Sequence, residues 1–293
     1  MPRLCPRPAL AFALSAAVAA HPLHARGRLA GQAARPATAP NVPPGVAPNA
    51  SPAPLVGAER WADSARRAID AASTRGDRAA LADVRTMLGR ALVVTPGDPL
   101  LLHYLGFAQY REAMAALPAG DARGARALLA GADTLLARSG ERRPLAETFA
   151  LRSSVLGMLI GTGGAMAGMV LGPKAGDAMN RAAELGPRNP RVALLRGVSA
   201  FSTPTLWGGG MDKARTYLEQ AIARFADDRP APPLPAWGEA DAHLWLGRVR
   251  QRAGDTAGAR AAYARALALQ PDNTWLTRVL IPSLDRPAPG STR

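Results

Sequence analysis

The chain has 293 residues, 36 Lys plus Arg against 22 Asp plus Glu, a formal net charge of +14, and one cysteine, Cys5. Beyond Cys5 there is no thiol for a disulfide, a thiolate metal site or a nucleophile, so stability must come from packing. Lys174 and Lys213 are the two lysines and the arginines stand singly on helical faces, as at Arg248, Arg250, Arg252 and Arg260, which excludes the concentrated basic stripe that nucleic acid requires.

The chain opens with Arg3 and Arg7, an uncharged apolar run over 9–20 and then small residues. This order is that of a secretory signal, residues 1–25, cleaved after Ala20 or Ala25, and it predicts a periplasmic or secreted protein. The apolar run is shorter than the roughly 20 residues a bilayer-spanning helix needs, so cleavage is expected rather than anchoring. Residues 26–57 are Ala, Pro, Gly and Asn with almost no large apolar side chain and read as a disordered spacer. A helical domain is expected over 58–284, followed by a disordered tail over 285–293.

From Ala58 onward Ala, Leu and Arg recur at helical spacing and strand signals are nearly absent, which predicts an all-α fold. The clearest unit covers 240–273. It carries His243, Leu246 and Gly247 on one helix, the turn 253–255, then Ala259, Tyr263 and Ala266 on a second helix and Pro271 as terminator. The glycine lets two helices approach, the alanines sit at their crossing, and the proline lacks the donor a helix needs to continue. This unit resembles the tetratricopeptide repeat, W-x2-L-G-x2-Y, A-x3-F, P, with His243 for the usual Trp and Arg250 for the usual Tyr.

Weaker copies precede it. Helices over 61–72 and 79–93 form a first pair ending at Pro96. Leu105-Gly106 leads to Ala125, Leu129 and Ala132; Leu156-Gly157 leads to Ala175, Met179, Ala182 and Pro187; Gly197 leads to Ala214, Leu218 and Ala221. The resemblance implies an α-solenoid of four to five helix pairs wound as a right-handed superhelix. The intervals exceed the family's 34 residues, which predicts loops inserted between the helices of a pair, some longer helices and a less regular superhelix.

Two segments fall outside the repeat pattern. Residues 153–173 hold no charge and six glycines. Their length and two G-x-x-x-G steps suit a membrane helix, but Gly163-Gly164 in mid-span and the amphipathic sequence that follows argue against one. The structural reading is a first helix ending near Gly161, a glycine loop, and a second helix from Pro173, with Met158, Met166 and Met169 filling an apolar gap. Residues 203–210, Thr-Pro-Thr-Leu-Trp-Gly-Gly-Gly, replace a tight turn and present Trp207, either as a binding anchor or tucked back over the end of its pair.

No catalytic constellation appears. His103 and His243 fall in different repeats without an acidic partner at triad or ligand spacing; His243 takes a packing position and His103 an exposed face. No enzyme activity, cofactor or metal is expected. In the family, partners lie on the concave face lined by the first helix of each pair. Carried over, that face holds His103, Phe107, Tyr110 and Arg111, then Leu151, Ser154 and Met158, then Arg191, Leu194, Val198 and Phe201, then Leu244, Arg248, Gln251 and Arg252. Its basic ends and apolar middle predict an extended peptide or helix with acidic flanks, held by an envelope interaction scaffold. The alternative is a small-molecule-binding accessory of a periplasmic transport or envelope-assembly system, which a deep pocket under 153–173 would favour.

Overall fold

The computed structural model describes residues 56–285; the signal segment, the spacer up to residue 55 and the tail from 286 lie outside the described residues. Among the described residues nine long helices follow in chain order: α1 Ala58–Arg75, α2 Arg78–Val94, α3 Pro99–Ala116, α4 Ala122–Arg142, α5 Ala146–Leu185, α6 Pro190–Ser202, α7 Met211–Phe225, α8 Glu239–Arg252 and α9 Thr256–Leu269. A π turn, Leu276–Leu280, and the single turn α10, Ile281–Ser283, close the described chain. No strand occurs among the described residues.

The helix starts are written in the sequence as Asp or Asn followed by a helical run. Asp77, Asp98, Asp121, Asn189 and Asp255 each accept a hydrogen bond from a backbone N–H in the first turn that follows, at 2.8–3.0 Å. Asp98 and Asn189 also precede a proline at the first helical position, where a missing N–H costs nothing.

Helix α5 is not one rod. At Gly164 the backbone turns to φ 76°, ψ −168°, outside any helical conformation. The hydroxyl of Ser153 then donates to the carbonyl of Ala175 at 2.9 Å, whereas 22 residues of straight helix would separate them by roughly 33 Å. The chain therefore folds back at one glycine into two antiparallel halves, which form the third pair. The expected glycine loop over 161–173 does not exist: both sides of Gly164 stay helical and Pro173 lies inside the second half. Met166 and Met169 are 70% and 62% exposed, so they fill no gap. Among the described residues no helix is long and apolar enough to cross a membrane.

The pairs are thus α1–α2, α3–α4, the two halves of α5, α6–α7 and α8–α9. Their crossings show where the repeat register runs. A Cβ on Gly106 would meet Leu136 at 2.9 Å and one on Gly197 would meet Leu218 at 2.6 Å, while one on Gly247 would press still closer on Tyr263. In each case the large residue stands four positions after an alanine: Ala132, Ala214 and Ala259. The second pair therefore closes on Ala132 and Leu136, seven residues beyond the Ala125 and Leu129 that spacing suggested. Its extra length lies in longer helices, α3 of 18 residues and α4 of 21 against 14 each in α8 and α9, rather than in an inserted loop. Gly157 departs from the pattern, with nothing within 4 Å of its Cβ position.

The solenoid curls far enough for its ends to meet. The Gln270 side chain donates to Asp70 of α1 at 3.2 Å, and a Cβ on Gly76 would come within 3.3 Å of the Thr274 hydroxyl. The first pair thus touches the turn that follows α9.

Candidate interaction groove

Helices α3, α6 and α8, the first of their pairs, face the inside of the curl, and there the chain supplies its own occupant. Residues 226–238, between α7 and α8, lie over these helices as an irregular segment that turns at 226–227 and again at 232–234. Pro233, Pro235 and Trp237 are buried while Ala236 is exposed and Leu234 half-buried, so every second residue over 233–237 faces inward. The Tyr104 hydroxyl donates to the Pro233 carbonyl at 2.5 Å. The Trp237 ring stacks on Phe107, centroids 4.9 Å apart and planes at 28°. Gly238, at φ 111°, fits because a Cβ there would lie 2.8 Å from Leu194.

Charge fixes both ends of this strap. Arg191 donates to both carboxylate oxygens of Asp228, at 3.2 and 2.5 Å, the bidentate geometry that suits a guanidinium. At the other end Arg111 donates to Asp241, at 2.5 Å, in the first turn of α8. Burial works against the charge on Arg111, but the Asp241 carboxylate and its hydrogen bond outweigh that and raise the guanidinium above its ordinary value. The Arg111 guanidinium also lies 5.0 Å above the Phe107 ring and 6.0 Å above Trp237.

The inferred concave face therefore divides. Phe107, Tyr110, Arg191 and Leu194 are buried, as are Leu151 and Leu244, and Arg111 is nearly so; these do not line an open groove. His103 corrects the expectation of an exposed side chain: it is fully buried, its Nδ1 2.9 Å from the Thr148 hydroxyl. Ser154 and Met158, on the first half of α5, are half-buried. His243, expected in a packing position, is half-exposed, and burial followed by the charge of Arg265 lowers its pKa.

Open surface begins where the strap ends, at the C-terminal turns of α6 and α8. Val198, Phe201, Arg248 and Gln251 are half-buried there and Arg252 is exposed. The Arg248 guanidinium lies 4.7 Å from the Phe201 centroid, 4.4 Å from Trp245 and 5.2 Å from Trp275. Arg252 lies 5.5 Å from Phe201. Burial, with the like charge of Arg252 adding to it, lowers Arg248 below the usual arginine value, yet a guanidinium keeps its proton. No carboxylate among the described residues pairs with Arg248, whose surroundings are three aromatic rings and a second cation. Gln251 is committed to the Tyr263 hydroxyl, from which it accepts at 2.8 Å, and to Ser283. Trp245 and Trp275 carried no repeat signal, since Trp275 comes from the turn after α9 and joins the site only through the fold.

The insert with Trp207 is tied down: Gly210 N–H donates to the Ala200 carbonyl at 2.9 Å and Lys213 to that of Gly208 at 3.1 Å. Trp207 remains 36% exposed and Leu206 86%. Two cavities, of about 380 Å³ at Trp61, Asp83, Thr86, Met87 and Arg90 and about 40 Å³ between α5, α6 and α7, lie away from residues 153–173. Among the described residues no group of three or more His, Cys, Asp or Glu side chains could hold a metal ion.

The pairing of helices at glycine crossings has counterparts in known proteins. Residues 241–273 match the tetratricopeptide repeat model. Similar solved structures include a thermophilic tetratricopeptide protein of Thermus thermophilus, 23% identical over 76% of this chain and 98% of that one, with a TM-score of 0.52. The fold is a tetratricopeptide-repeat solenoid. The HusA haemophore of Porphyromonas gingivalis is similar too, 22% identical over 66% of this chain and 94% of its own, with a TM-score of 0.53. No curated protein matches. Arg248, Gln251 and Arg252 lie within the matched repeat, and the strap lies outside it.

Proposed function

We propose that this protein is a non-enzymatic interaction scaffold of the cell envelope that binds an acidic peptide or protein segment at the C-terminal turns of α6 and α8. The observation that carries this reading is Arg248: a half-buried cation, flanked by Phe201, Trp245 and Trp275 and beside Arg252, with no anion of the described chain against it. A carboxylate arriving there would gain both guanidinium hydrogen bonds and an aromatic wall from which water is displaced. The tetratricopeptide fold supports a scaffold role, and the sequence of the first 25 residues supports export. The small-molecule alternative called for an enclosed pocket under residues 153–173, and the two cavities described lie elsewhere.

The test is capture from cell-envelope extract with the unaltered protein, with R248E/R252E and with Phe201→Ala, followed by identification and binding kinetics of what is retained. Charge reversal should slow association and reduce its salt dependence, because steering acts at long range. Phe201→Ala should speed dissociation. If both variants retain the same partners with unchanged kinetics, this face is not the binding face.

A further inference from the structure

The strap is built as a ligand is built. Its inward residues, Pro233, Pro235 and Trp237, are every second residue over 233–237, and an acidic residue stands on either side, Asp228 before them and Asp241 in the first turn of α8. Each contact it makes is one an independent peptide could make: a tyrosine hydroxyl to a backbone carbonyl, an aromatic stack, and two arginine–carboxylate pairs.

The receiving side is equally specific. Arg191 is almost wholly buried, which for an arginine requires a partner, and its bidentate partner is the strap's Asp228. Arg111, on a different helix pair, holds the other end. The two cations are fixed by the fold, Arg111 over the Phe107 ring and Arg191 over that of Phe225. By contrast, the strap is weakly tied to itself: among its backbone amides from 229 to 238, Leu234 N–H to the Ala231 carbonyl is the backbone hydrogen bond described. Its indole N–H, on Trp237, is buried without a hydrogen-bond partner. A segment held by side chains of the groove rather than by its own backbone can leave with no more of a helix unwound than the first turn of α8.

We infer that the face of α3 and α6 beneath residues 228–241 is a second binding face, for proline-rich segments with an acidic residue at each end, and that the strap is its resident occupant. A partner of that chemistry enters by displacing the strap. This face is separate from the aromatic surroundings of Arg248, so either reading stands if the other fails.

The probe is a fluorescently labelled synthetic peptide with the sequence of residues 226–241. In D228N/D241N the strap keeps its volume but loses its acidic ends, leaving Arg191 and Arg111 for the peptide. This full-length variant should bind the peptide at least tenfold more tightly than the unaltered protein, and a peptide with Asn in place of Asp228 and Asp241 should lose that gain. Equal affinity of variant and parent, with helicity unchanged, overturns the inference. Hydrogen exchange of the Trp237 indole N–H in the unaltered protein tests the same point if the variant does not fold. Exchange at least a hundredfold faster than global unfolding allows supports a displaceable strap; exchange only on global unfolding overturns it.

Discussion

Arg111 on α3 and Asp241 on α8 are 130 residues apart in sequence, yet Arg111 Nη2 and Asp241 Oδ2 lie 2.5 Å from each other. This pair joins the second helix pair to the last across the inside of the curl, in a place where a regular solenoid would present an open groove. Both side chains are largely shielded, at 15% and 20% exposure, so water replaces the lost partner poorly when one is removed.

Removing one partner should therefore cost more than removing both. Arg111→Met keeps the stem against Phe107 and Trp237 but strands the Asp241 carboxylate, and about 3 kcal/mol should be lost. Asp241→Leu strands the guanidinium with a similar effect. The double variant should recover much of the difference, since an apolar pair of like volume carries no desolvation penalty. Chemical denaturation of the four proteins measures this as a double-mutant cycle. Simple additivity would mean that the two residues do not depend on each other.

The glycines of the repeat give two outcomes of opposite sign from one substitution. At Gly247 a Cβ would lie 2.5 Å from one ring atom of Tyr263 and closer still to another, so Gly247→Ala should cost about 1–3 kcal/mol by overpacking. At Gly157 nothing lies within 4 Å of the Cβ position and the backbone is helical, so Gly157→Ala should stabilise by about 0.5–1 kcal/mol. Thermal unfolding of both variants checks the pair. Equal destabilisation would show that the third pair is closed by its glycine like the others.

How far the sequence alone leads can be followed through these same residues. Gly247, Ala259 and Tyr263 were legible because close packing of two helices leaves a local signature at fixed spacing, and one matched unit is enough to set the fold. The register of α4 was not, because Ala125, Leu129, Ala132 and Leu136 are all buried and the same pattern fits at two positions seven residues apart. The turn at Gly164 was misplaced because a glycine-rich stretch does not say which glycine takes the positive φ. Of the residues expected on the concave face, Phe107 and Arg111 meet the segment between α7 and α8, and that contact was hidden: Asp228 to Asp241 are more than 100 positions from Phe107 and Arg111. Nothing in the local pattern of a proline-rich linker tells where it lies. Trp275 escaped notice for the same reason, being brought to Arg248 by the closing turn of the chain, whereas Trp245 stands one helical turn before Arg248 on α8.

His103 turns the burial of α3 into a dependence on pH. The ring is fully buried between Tyr104, Phe107 and Thr148, and burial first, then the positive charge of Arg191, pushes its pKa down to about 3. In the unfolded chain the same side chain takes up a proton near pH 6.5, so between about 6.5 and 3 the unfolded state binds more protons than the folded one. Stability must fall as pH falls through that window, by up to about 1.4 kcal/mol for each pH unit, and this contribution is absent above it. His103→Gln retains a group able to hydrogen-bond Thr148 and removes the titration. Carboxylates shape the acid limb as well, but equally in both proteins, so the difference between them isolates the histidine. Urea unfolding from about pH 7.5 to about 4.5 should show the parent losing stability relative to His103→Gln only below about pH 6.5. Curves that stay parallel over that range would mean that the ring reaches solvent or a proton acceptor in the folded protein, and that α3 is packed less tightly around His103 than its neighbours indicate.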